Sequence, residues 1–295
     1  MDSEHCLEAF EHYLKEEKKA SANTLSSYMR DIRQFSSFMG SHGAEIFEAD
    51  DDILSEYIAH LRAEGKSVAT VSRSIASLKN LYAFLCLRKG LEHNPAAHLV
   101  TDKSKQKLPQ ILTNEEVELL LQQPECVDLK GYRDKAMLEM LYATGMRVTE
   151  MIDLNVDDVN LVAAVVRCHS RGKERMIPMY AAAVQALNEY LTLVRPQMIA
   201  IPQETALFVN VGGERMSRQG FWKLIKQYQK KAGIEKDITP HTLRHSFAAH
   251  LLQNGADIHA IQEMLGHADL SSTQVYSQLV KKQLKDVYNR AHPRA

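Results

Sequence analysis

Six residues between positions 147 and 276 form a set able to perform chemistry on a phosphodiester. They are Arg147 in ATGMRVTE, Lys173 in SRGKERMIP, His241 and Arg244 in HTLRHSF, His267 in LGHADLSSTQVY, and Tyr276 at the end of that stretch. A phosphodiester resists attack because it is anionic and its leaving alkoxide is basic. Cationic donors placed where negative charge accumulates are the main remedy. The planar guanidinium suits this role because its fork holds two phosphate oxygens at once. His241 and Arg244 stand three apart at a predicted helix start, so they share a face. The N-terminus of that helix adds partial positive charge and free amides, both favourable to an anion. Lys173 falls at a predicted turn, from which it can enter a groove and protonate a leaving oxygen. Arg171 and Arg175 flank it and read as contacts to a nucleic-acid backbone. Glu150 follows Arg147 by three residues and braces it if the intervening turn is helical. A phenol has a reference pKa of ~10, so Tyr276 becomes a nucleophile only when a base or a strong positive field favours phenolate.

Taken singly, each of these residues has an ordinary reading. Arg147 serves equally as a surface ion-pair arginine and Lys173 as an exposed turn lysine, and Tyr276 is one of eleven tyrosines. His245 and His250 lie off the face of His241 and Arg244 and read as structural.

The elements that must position the set fall into two groups. In residues 1–100, stripes at helical spacing recur: Leu7, Phe10, Tyr13 and Leu14; Leu25, Tyr28, Ile32 and Phe35; Leu54, Tyr57, Ile58 and Leu61; Val68, Val71, Ile75, Leu78 and Tyr82. Four amphipathic helices with short polar loops predict a small bundle. The segment 101–110, TDKSKQKLPQ, lacks an apolar period and reads as a linker. Its Lys103, Lys105 and Lys107 are candidates to face phosphates. Residues 111–295 mix patterns. TNEEVELLLQQ and GYRDKAMLEMLYATG predict helices, the second stopped at Gly145, and AAVVRCH and RMIPM predict two strands around a tight turn. Helices follow at 181–195 and 217–232. HTLRHSFAAHLLQNG predicts a helix stopped at Gly255, and ADIHAIQEMLG one stopped at Gly266. On the helix at 217–232, Arg218, Gln219 and Lys223 are candidates for reading bases or holding phosphates. The fold class expected is mainly α with a small β-sheet, as an N-terminal helical bundle followed by an α/β domain.

Composition sets the limits. The chain has 295 residues, 45% hydrophobic and 25% charged, with a formal net charge of -1. Bulk charge therefore does not advertise a polyanion binder, and such a surface must come from uneven placement of the 36 lysines and arginines. Cys6, Cys86, Cys126 and Cys168 are far apart, with no CxxC pair, and read as reduced thiols rather than a disulfide framework or zinc site. No stretch approaches the roughly 18 apolar residues of a membrane span, and a cytoplasmic location is expected.

ATGMRVTE, SRGKERMIP, HTLRHSFAAHLL, LGHADLSSTQVYS and the terminal HPRA, in that order, resemble the tyrosine recombinase (phage integrase) family, and within it the XerD-like members of the Xer branch. The resemblance covers essentially the whole chain. It implies a helical, SAM-like core-binding domain over 1–100 and a catalytic domain over 111–295, the two forming a C-shaped clamp on duplex DNA. It implies roles at matching positions: Arg147 and Arg244 clamp the scissile phosphate, Lys173 is general acid to the 5′ oxygen, His241 assists proton transfer, His267 donates to a non-bridging oxygen, Tyr276 attacks, and Glu150 supports. The bond energy is kept in the phosphotyrosine, so no cofactor, neither ATP nor a metal, is implied. The tail QLVKKQLKDVYNRAHPRA is expected to bind a neighbouring subunit of a tetramer that exchanges strands through a Holliday junction. That tetramer is either homomeric or built with a XerC-like recombinase, and activation by a DNA translocase is compatible with the resemblance. Resolution of chromosome dimers at a dif-like site is the expected use, and a mobile-element integrase is the alternative. A type IB topoisomerase and a catalytically silent DNA-binding module are the rivals from other classes. One departure is visible: Ser277 and Gln278 follow the tyrosine where many Xer proteins carry Thr-His.

Overall fold

The computed structural model describes residues 3–101, 109–170 and 172–266. The chain divides into two compact units, Met1–Gln106 and Lys107–Ala295.

The first unit is all helical. Helices α1 (Ser3–His12), α2 (Ala22–Ser41), α3 (Asp51–Ala63) and α4 (Val68–Lys89) correspond to the four apolar stripes. Ser21 and Ser67 cap α2 and α4 in the same way, each accepting the amide of a threonine three residues on. Asp50 does likewise for α3, and Gly90 ends α4 in the left-handed conformation. Phe10, Phe35, Tyr57 and Tyr82 are fully buried between these helices. Each such ring contributes about 1.5–3 kcal/mol by leaving water. Buried Asp31 on α2 takes a two-point ion pair from Arg73 on α4, both bonds 2.8 Å, which sets how the two helices meet.

The second unit begins with α5 (Asn114–Leu121), α6 (Leu129–Thr144) and the short α7 (Val148–Asp153). An antiparallel sheet in the order β1 (Val159–Asn160), β2 (Val165–Ser170), β3 (Lys173–Pro178) follows. The β2–β3 register ends at Ser170 opposite Lys173. Lys173 is therefore the first residue of β3 rather than part of the turn. The two-residue β1 is too short to have shown an alternation in the sequence. Helix α8 (Ala181–Glu189) runs through a π-turn at Tyr190–Val194 into α9 (Arg195–Met198). Pro196, which has no amide proton to donate, accounts for the slip to wider bonding there. Helices α10 (Arg218–Lys231), α11 (Pro240–Gln253) and α12 (Ile258–Leu265) complete the described part of the unit.

Helix α6 is buried nearly all round and forms the axis of this unit's core, which explains why its apolar pattern has no single stripe. Ion pairs hold its polar residues: Arg133 binds Asp134, which also accepts from Tyr228, and Lys135 binds Glu139. Among the described residues no helix is long and apolar enough to cross a membrane.

Candidate active site

The site begins where α6 stops. Gly145 has φ +57°, and a Cβ there would lie 2.2 Å from Cδ1 of Phe247 on α11. Only glycine allows both this backbone turn and so close an approach. Arg147 then serves as N-cap of α7. Its amide donates to Glu150 Oε2 at 2.8 Å and its Nη1 to Glu150 Oε1 at 2.9 Å. The turn between them is helical, as the bracing of Arg147 requires. The carboxylate is 5% exposed and the Arg147 side chain 38%, so the guanidinium is anchored at its base and open at its other edge.

Glu150 has a second arginine. Arg175 on β3 binds it through two nitrogens, at 2.7 and 3.3 Å, and donates Nε to the Met264 carbonyl at 2.8 Å. Burial alone would raise the Glu150 carboxyl. The Arg175 hydrogen bond, the Arg147 amide and the charges of both arginines outweigh burial and hold it down at about 2. Only 11% of the Arg175 side chain is exposed, and its Nε, Nη1 and Nη2 all donate inside the protein, a buried role that its sequence position did not suggest. Strand alternation hid this, since Arg175 lies on the same inward face as Ile177 while Glu174 and Met176 point out.

Arg244 is 4% exposed. It donates to the Gly145 carbonyl from α6 and to the Leu265 carbonyl at the end of α12, both at 2.7 Å. His241, one turn earlier on α11, is exposed. Partial burial, then the charges of Arg244, Arg218 and Arg147, lower its pKa below the ordinary imidazole value. That set of influences brings Arg147, Arg244 and His241 into one electrostatic neighbourhood and adds Arg218, the first residue of α10. His245 is driven down to about 4 by burial, His241 and Arg244, and so is neutral near pH 7. Thr239 caps α11 by accepting the Thr242 amide, with Pro240 in the first turn.

Lys173 is exposed and shares a strand face with Arg175, about 7 Å away along β3. Gln219 and Lys223 are exposed on α10. Lys223 borders a cleft with Lys130 and Gln227, and Arg218 is not among the residues that line it. Lys103, Lys105, Lys107, Arg171, His267, Tyr276 and the tail 281–295 lie outside the described residues.

Two supports had partners that the sequence did not reveal, although His250 had read as structural. His250 donates Nε2–H to the Leu112 carbonyl at 2.9 Å, so its Nδ1 accepts from the Tyr142 hydroxyl at 2.8 Å. The Leu112 amide in turn donates to Ser246, which pins the start of the second unit to the helix that carries His241 and Arg244. Arg215 caps the far end of α7, donating to the carbonyls of Ile152 and Leu154. Among the described residues no group of three His, Cys, Asp or Glu side chains could hold a metal ion.

This arrangement offers paired guanidiniums and a neutral imidazole for an anionic group, and the comparisons with known proteins identify the family. Residues 110–283 match the phage integrase family and residues 7–89 the phage integrase N-terminal SAM-like domain. A tyrosine recombinase XerD of Oceanobacillus iheyensis is 46% identical over 299 residues, covering 99% of each chain. One from Staphylococcus epidermidis is 43% identical over 291 residues, covering 98% of this chain and 99% of its own. Among solved structures, XerA recombinase matches at 29% identity with a TM-score of 0.56, covering 99% of this chain and 100% of its own. XerH bound to a palindromic difH substrate shares the fold, with a TM-score of 0.77 at 23% identity over 95% of this chain and 83% of its own. The chain belongs to the phage integrase family: it is a site-specific DNA recombinase that cleaves and rejoins its substrate, and within that class a XerD-like tyrosine recombinase.

Proposed function

We propose that Tyr276 attacks a DNA phosphate held by Arg147 and Arg244, forming a 3′-phosphotyrosyl bond as the bond to the 5′ oxygen breaks. The observation that carries this reading is the convergence of α6, α11 and α12 on Arg244. Its donors to Gly145 and Leu265 tie the segment of Arg147 to the segment that leads directly into His267. Arg147 offers the open edge of its guanidinium to the phosphate while Glu150 fixes its base. His241, kept neutral by partial burial and three guanidiniums, accepts the phenol proton. Lys173, at the exposed start of β3, gives a proton to the departing 5′ oxygen. His267 donates to a non-bridging oxygen. The phosphotyrosine stores the energy of the broken bond, so a free 5′ hydroxyl from a second strand reverses the reaction without ATP.

Strand exchange through a Holliday junction needs four such subunits, either identical or paired with a XerC-like partner. The XerD names of the relatives support resolution of chromosome dimers at a dif-like site, in the cytoplasm. The helical unit 1–106 is read as the core-binding domain and 107–295 as the catalytic domain and tail. Backbone contacts dominate affinity in this reading, so binding weakens steeply with salt.

A nicked DNA substrate that traps the covalent intermediate tests the reading. Tyr276→Phe should bind DNA normally and give no adduct. Arg147→Ala, Arg244→Ala and His241→Ala should bind and form adduct at least about 100-fold more slowly. Lys173→Ala beside Arg171→Ala identifies which cation of the hairpin serves the leaving group. Adduct formation by Tyr276→Phe would reject the assignment.

A further inference from the structure

The strongest unassigned arrangement in the catalytic unit surrounds Arg175. The last turn of any helix leaves four carbonyls without helical partners. At the end of α12 all four are accounted for. The Gly266 amide takes those of Gln262 and Glu263, Arg175 Nε takes Met264, and Arg244 Nη2 takes Leu265. Two guanidiniums thus sit at the negative end of one helix dipole. The guanidinium of Arg175 also packs against the turn that follows. Gly266 has φ +63°, and a Cβ there would lie 3.0 Å from Arg175 Nη1. The other side of the same guanidinium grips both oxygens of Glu150, which in turn holds Arg147 by its amide and its side chain.

We infer that Arg175 is a positioning residue of the cleavage site, joining the brace of Arg147 to the end of α12 from which His267 departs. It does not touch the phosphate. It sets the distance between one phosphate clamp and the segment that brings the remaining catalytic groups, so that α7, β3 and α12 move together or not at all. An arginine is required because three donors in one rigid plane serve three acceptors on two elements. A lysine ammonium can reach one side but cannot span both. The inference rests on the roles proposed above for Arg147 and His267.

The test compares wild type, Arg175→Gln and Arg175→Lys in four measurements: covalent capture on nicked DNA in a single turnover, its pH profile, DNA affinity against salt, and hydrogen exchange of amides 261–266. Arg175→Gln should capture DNA about 100-fold more slowly, the scale of a ~1 Å misplacement, with affinity and salt slope unchanged. Its capture rate should acquire an acid limb as pH falls from 7 to 5, because Glu150, released from Arg175, titrates higher. Amides 261–266 should exchange faster. Arg175→Lys, which keeps the charge but not the three-way span, should recover only part of the rate. A salt slope shallower by about 1 would mark Arg175 as a phosphate contact and overturn the inference. Unchanged capture and unchanged exchange would also overturn it. Wild-type protein that forms no adduct would count against the proposed function alone, and the exchange of 261–266 would still decide whether Arg175 holds α12.

Discussion

Replacing Gly145 with alanine should disable this protein in two measurable ways. The backbone there has φ +57°, and a left-handed conformation costs a residue with a Cβ about 1–2 kcal/mol. The new methyl carbon would stand 2.2 Å from Phe247 Cδ1, 2.6 Å from Cε1 and 2.9 Å from Cγ. Ordinary carbon contacts begin near ~3.5 Å, so the ring must retreat by more than an ångström. It has little room, because Ala248, Ile261 and Leu265 form a buried cluster with it. Overpacking of this kind costs about 1–3 kcal/mol. The total expected loss is about 2–5 kcal/mol, read by urea unfolding. Separating α6 from α11 also pulls the Gly145 carbonyl away from Arg244, now 2.7 Å apart. Covalent capture by the folded fraction should then fall about 100-fold. Phe247→Ala removes all three clashing atoms at its own cost of about 3–5 kcal/mol. The double variant should therefore be about 1–3 kcal/mol more stable than the sum of the single losses predicts. A Gly145→Ala protein that loses under about 1 kcal/mol and cleaves normally, or strictly additive losses, would refute the close-approach argument.

The Glu150 carboxyl, lowered from 4.5 to about 2, contributes stability that is complete above its unfolded value and is lost as pH falls from there toward 2. The shift corresponds to ~3 kcal/mol. Glu150→Gln should consequently show an acid-side stability slope shallower by about that amount when unfolding is followed between pH 5 and 2.5, and identical slopes would contradict the assignment. His250→Ala strands the Tyr142 hydroxyl and the Leu112 carbonyl. It should destabilise the catalytic unit by about 2–5 kcal/mol, measured calorimetrically, whereas Tyr142→Phe, which removes one bond, should cost only about 1 kcal/mol.

Periodicity carried most of the fold. The four stripes of residues 1–100 became α1 to α4, and Gly145 and Gly266 ended α6 and α12 where a left-handed stop was expected. These were legible because glycine stops and apolar spacing are local signals. Long-range pairing was not legible. The inward turn of Arg175 depends on which face of β3 meets Glu150, and the Leu112 contacts cross more than a hundred residues. Arg147 and Glu150 could be paired from spacing alone because both bonds close within one helical turn. Arg133, Arg195 and Arg215 spend donors on backbone carbonyls inside the unit. A count of basic residues therefore overstates the charge available to DNA.

The most direct measurement is to trap the protein on nicked DNA, digest the adduct, and locate the nucleotide-bearing residue by mass spectrometry. The chain has eleven tyrosines. The account predicts a single modified peptide with the nucleotide on Tyr276, joined through a 3′ phosphate. A nucleotide on any other residue, or a 5′ linkage, would contradict it.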